Sequence, residues 1–224
     1  MPTYEDLGFG RGAVVSRDAT RTMFGQVMGL VAFTCGFAAL GAYVARNLQG
    51  GTGILFFILA FGCIFGLNIA TRRGHEQLAI GLLFGLGLLL GMAVAPVLDY
   101  YAKTNSSVVF QAAGATGGFV AILGSAGYAT RRDLSSWWRA LFFGLIALIV
   151  FGLITLFVTI PHANIIYCVA GLVIFGAFTV FDFNRLRSGR MVIGPVPIAA
   201  SIFLDIFNVF LFFLSLFGGG GSRR

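Results

Sequence analysis

Charge is scarce in this chain. Only 10% of its 224 residues are Asp, Glu, Lys or Arg, against about 25% in ordinary soluble domains, which excludes a water-exposed globule. Cysteine is nearly absent: Cys35, Cys63 and Cys168 all fall inside apolar runs. Without a CxxC pair or a loop spacing they make neither a disulfide framework nor a zinc site, and they read as core or lipid-facing residues. Also missing are a phosphate-binding glycine loop, a Ser/His/Asp set and a metal-ligand cluster, so no enzyme and no tightly bound cofactor is expected. Alternating apolar-polar strands of barrel type are absent. No cleavable leader is visible, because the first apolar run begins near Met23, after a polar segment holding Glu5, Asp6, Arg11, Arg17, Asp18 and Arg21. The first span should therefore remain in the mature protein.

Apolar surface is abundant: 58% of residues are hydrophobic, with 25 Phe and 32 Gly, and the mean hydropathy is +0.93. The lipid bilayer is the implied partner, with phenylalanine supplying bulk and glycine close helix contacts. Seven runs reach the roughly 20 residues a helical span needs: about 23–45, 52–71, 77–99, 107–129, 138–160, 164–186 and 195–217. The expected fold is an all-α, seven-helix transmembrane bundle over 23–217, after a cytoplasmic segment 1–22 and before a flexible tail 218–224. Gly81 and Gly85 make a GxxxG spacing suited to helix packing. Gly25, Gly29, Gly36 and Gly41 line the first span, and Pro96 is placed to kink the third.

The net charge of +7 does not point to nucleic acid, because the basic residues lie in short loops. An N-terminus in the cytoplasm places Arg11, Arg17, Arg21, Arg72, Arg73, Arg131, Arg132, Arg139, Arg185, Arg187 and Arg190 inside and leaves Arg46 and Lys103 opposite. This is a positive-inside pattern. The tail then ends with Arg223 and Arg224 on the unfavoured side, which leaves a re-entrant seventh span as an alternative.

Two acids stand out. Asp182 and Asp205 sit in apolar segments either side of a basic turn, where an ionisable side chain costs at least about 2.5 kcal/mol and marks a functional site by default. Counted from Met191, their depths on antiparallel helices differ by about 7 Å. Carboxylates in contact cannot easily both ionise, so they share a proton and suit pH sensing. Ionised, they attract a hard cation such as Ca²⁺, but two acids make only a transient site. The plainer alternatives are a cap or a pair with Arg185 for Asp182; Asp205 has no cation near it in sequence. Arg72 and Arg73, ending the second span on the same side, either latch an aspartate or simply snorkel. Asn68, Asn184 and Asn208 suit interhelical hydrogen bonds, while His75 and His162 are lone loop histidines.

The sixth span ends FTVFDFNRL (Phe178 to Leu186), the seventh reads SIFLDIFNVFLFFL (Ser201 to Leu214), and the second closes ATRRG (Ala70 to Gly74). In these motifs the sequence resembles the transmembrane Bax inhibitor motif family, also called the Bax inhibitor-1 family, from about Arg21 to Phe217. The resemblance implies a seventh helix wrapped by the other six, and a pH-sensitive calcium leak controlled by an aspartate pair with an arginine latch. The pair falls on Asp182 and Asp205, and the latch on Arg73, with Arg72 one position away. The turn here is basic and the tail short, so regulation through the charged tails of eukaryotic relatives is not carried over. A prokaryotic plasma (inner) membrane is the expected location. A second class is a non-transporting interaction protein that modulates a membrane protease or a stress response. An intramembrane aspartyl protease would need YD and GxGD motifs, whereas the contexts here are VFDFN and FLDIF.

Overall fold

A backbone immersed in hydrocarbon must satisfy its own hydrogen bonds, and long apolar runs do so as helices. The computed structural model describes residues 17–47, 52–188 and 194–219. The polar segment with Arg11, the turn with Arg190 and Met191, and the tail with Arg223 and Arg224 lie outside the described residues. The helices are α1 (Arg17–Val44, continued by a 3₁₀ turn, Ala45–Asn47), α2 (Thr52–Arg72), α3 (Glu76–Thr104), α4 (Ser106–Ala129), α5 (Trp137–Phe157), α6 (Ala163–Ser188) and α7 (Pro195–Gly219). All seven are long and apolar enough to cross a membrane. Unbroken and 25 residues long, α7 does not take the re-entrant form.

Boundaries depart from the apolar runs where local chemistry intervenes. α3 passes unbroken through Pro96 and continues past its hydrophobic stretch to Thr104; there Lys103 pairs with Asp99 one turn back at 2.6 Å, a helix-supporting spacing. α5 stops at Phe157 rather than 160, with Val158 already extended. Pro161 disfavours helical backbone in the residue before it, and His162 follows with φ 59°. Between α2 and α3, Gly74 takes φ 74°, and His75 N–H donates to Ala70 O at 2.9 Å. The glycine thus ends α2 as a left-handed cap, fixing where Arg72 and Arg73 emerge.

α7 is the central helix. It lies against α1, α2, α3, α4 and α6, and α5 packs on α6 at the periphery. Ile198, Ile202, Phe203 and Val209 of α7 are fully enclosed, whereas Phe65 of α2 and Phe143 and Phe157 of α5 are widely exposed, as a lipid-facing surface requires. The GxxxG pair that draws helices together is Gly87 and Gly91, not Gly81 and Gly85. A methyl group on Gly91 would run into the Ala38 carbonyl, and one on Gly87 into the Thr34 carbonyl. Gly41 meets the Leu88 carbonyl in return, while Gly25, Gly29, Gly36 and Gly81 face open space.

Candidate functional site

On an α-helix, residues three or four apart share a face. α6 presents Asn164, Cys168, Gly171, Phe175, Thr179 and Asp182 at that spacing, and α7 presents Ser201, Asp205, Asn208, Phe212 and Ser215. The two stripes meet in antiparallel order. At one end the Ser201 hydroxyl donates to Asp182 Oδ2; at the other the Ser215 hydroxyl donates to Asn164 Oδ1 at 3.0 Å. Between them Phe212 lies over Gly171, its ring centroid 5.8 Å from Phe175 and 5.5 Å from Tyr167.

Asp182 and Asp205 are both buried, at 1% and 4% exposure. Ser201 sits level with Asp182 and one turn before Asp205, an offset of about 6 Å along α7. The two acids thus lie within about one helical turn of each other in depth. Asp205 Oδ2 is buried without a hydrogen-bond partner among the described residues. Leaving such an oxygen unsatisfied costs on the order of 1–3 kcal/mol, more if charged, so it is the group in the seam with most to gain from a proton or a cation.

The result is a seam between α6 and α7 with acids toward the arginine-rich end, an amide-hydroxyl pair toward the other, and packed aromatic rings between. Thr179 lines it on the acid side; its hydroxyl is engaged with the Phe175 carbonyl at 2.8 Å. A family model described as Inhibitor of apoptosis-promoting Bax1 matches residues 20–222, spanning the entire seam. The chain belongs to this family. Relatives span most of its length. A Vibrio cholerae protein, described as a membrane protein, is 33% identical over 86% of this chain and 85% of its own. One from Deinococcus radiodurans is 24% identical over 92% and 93%, and one from Helicobacter pylori 28% over 73% and 70%.

In this Bax inhibitor-1 family member the arginines proposed as a latch stand apart from the acids. Arg72 and Arg73 are exposed at the end of α2, and among the described residues neither forms an ion pair with Asp182 or Asp205. Arg185 lies one turn along α6 from Asp182 but forms no ion pair with it among the described residues. Among the described residues no group of three or more His, Cys, Asp or Glu is placed to hold a metal ion.

Of Asn68, Asn184 and Asn208, only Asn184 bonds between elements. Its amide donates to Thr130 O at 2.7 Å, Arg132 O at 3.2 Å and Gly127 O at 3.4 Å, tying α6 to the end of α4. Asn68 and Asn208 instead donate to Ile64 and Leu204 carbonyls in their own helices. Asn184→Leu strands these acceptors, and a loss of about 1–3 kcal/mol is expected. A lower thermal midpoint in detergent, with helix content retained, is the readout.

Sequence reasoning missed Ser201 and Phe212. Ser201 carried a signal, a hydroxyl four residues before an intramembrane acid. Phe212 carried none, being one of 25 phenylalanines.

Proposed function

We propose that this chain is a pH-responsive leak for calcium, with Asp182 and Asp205 as its proton-sensing pair and cation relay. The observation that carries this reading is the buried, unpartnered Asp205 oxygen, one turn along α7 from the serine that binds the second buried acid, Asp182. Protonation neutralises the pair and lets α6 and α7 close around it. Deprotonation leaves charge that a hard cation, water or an arginine must compensate. Calcium is transported rather than retained, since two carboxylates fall short of the six to eight oxygens of a tight site.

Arg73, with Arg72 as its neighbour, is the proposed latch. α2 packs beside α7, and inward rotation of its end would bring a guanidinium toward the acids in a blocked arrangement. No chemical step is assigned to the chain. The proposed setting is a prokaryotic inner membrane, with the N-terminus in the cytoplasm on the strength of the arginine distribution.

Calcium entry into proteoliposomes holding only the purified chain tests this reading. Entry above that of protein-free vesicles, varying with pH, is expected. A flat, background-level trace at every pH would overturn it and leave the interaction protein, whose docking surface would be the periphery of α5, which packs only on α6.

A further inference from the structure

α1 and α4 both lie against α7 and α3, yet among the described residues their backbones do not approach each other, and side chains meet only where Phe24 packs on Tyr128. The space between them is a slot of about 900 Å³, with α1 and α4 as walls and Phe203, Phe207 and Phe210 of α7 in its floor. Its walls are small residues: Ala38 and Ala42 on α1, Ala113, Gly117 and Ala121 on α4. Small residues in membrane helices ordinarily let two backbones approach. Here they do not, because a methyl group on Gly117 would meet nothing within 4 Å. What they provide is room.

The slot is apolar along most of its length. The hydroxyl of Thr116, in its lining, is already committed to Ala112 O at 2.7 Å; the other lining hydroxyls, Ser125 and Tyr128, lie at the arginine-rich end, and the apolar remainder does not hold ordered water. From Tyr128 to Val109 it follows α4 for about 28 Å, close to the roughly 30 Å of a hydrocarbon core. Its arginine-rich end is closed by Phe24 of α1 against Tyr128 of α4, edge to face at 5.2 Å. One turn beyond that lid lie Arg21 on one side and Arg131 and Arg132 on the other, all exposed and without an ion pair among the described residues.

We infer that the α1–α4 slot is a binding site for an anionic phospholipid, one acyl chain lying along α7 and the phosphate meeting Arg21, Arg131 and Arg132. Chain and headgroup answer two separate features, an apolar slot of chain-like dimensions and a cationic rim at one membrane surface. Basic residues at that level favour anionic headgroups. The site lies on the face of α7 opposite Asp205 and is independent of any transport activity.

Native mass spectrometry of the detergent-solubilised chain, offered phosphatidylglycerol and phosphatidylcholine with identical chains, tests the assignment. One phosphatidylglycerol retained per chain is expected, preferred over phosphatidylcholine by about tenfold or more. Gly117→Phe, directed into the slot, should abolish retention. Ile122→Phe, on the exposed outer face of α4, should leave it intact and control for folding. Arg21→Gln with Arg131→Gln and Arg132→Gln should erase the headgroup preference while a lipid is still held. Equal retention in wild type and Gly117→Phe would overturn the site. So would a second copy of the chain displaced by Gly117→Phe in place of lipid, and a headgroup preference that survives loss of the three arginines would overturn the rim.

Discussion

Phe212→Ala is expected to raise calcium entry into proteoliposomes by about tenfold or more, since lowering a barrier by only about 1.4 kcal/mol has that effect. The ring lies over Gly171 and against Phe175, between the Asp182–Ser201 contact and the Asn164–Ser215 contact. If the proposed leak runs along the α6–α7 seam, an apolar ring at that point excludes water and blocks ions, as a dewetted constriction does. Truncation leaves a cavity with polar groups above and below it, which is roomy enough for water and has partners for it. Phe212→Leu, which keeps most of the apolar volume, should stay near wild type. A folded Phe212→Ala protein with wild-type flux would remove the constriction from the account.

Gly91→Val is expected to prevent the bundle from assembling. Its first side-chain carbon would collide with the Ala38 backbone carbonyl, and neither backbone can move aside, because Gly87 and Gly41 bind the same two helices equally closely. Overpacking in a core commonly costs about 1–3 kcal/mol where side chains can adjust; with backbone on both sides the cost should exceed that. Against a total stability of about 5–15 kcal/mol, the variant should aggregate or fail to insert. Gly114→Ala, where the added carbon meets nothing within 4 Å, should be neutral or slightly stabilising. Monodispersity on size exclusion separates the two, and a monodisperse Gly91→Val would mean that α1 and α3 do not depend on this contact.

The helices and the acids were legible in the sequence for one reason: each is a contrast with its surroundings. Apolar runs stand out against arginine-rich loops, and Asp182 and Asp205 stand out within apolar runs. What was not legible depends on which way a residue faces. Gly81–Gly85 and Gly87–Gly91 have identical spacing, yet the second pair faces α1 closely. Gly117 and Gly91 are the same residue, one lining a void and the other a backbone contact. Arg72 and Arg73 were placed correctly at the end of α2, but a long flexible side chain there has two directions available, outward to the headgroups or inward to the acids. In this structure both are exposed and engage neither acid.

The central claim is that Asp182 and Asp205 together set how the leak responds to pH. Calcium flux across a pH series, in proteoliposomes of wild type, Asp182→Asn and Asp205→Asn at equal protein density, tests it most directly. Wild-type flux should change with pH, and each asparagine variant, with one titrating carboxyl removed from a coupled pair, should give a flattened or displaced response. Two variants that reproduce the wild-type flux and pH profile would contradict it.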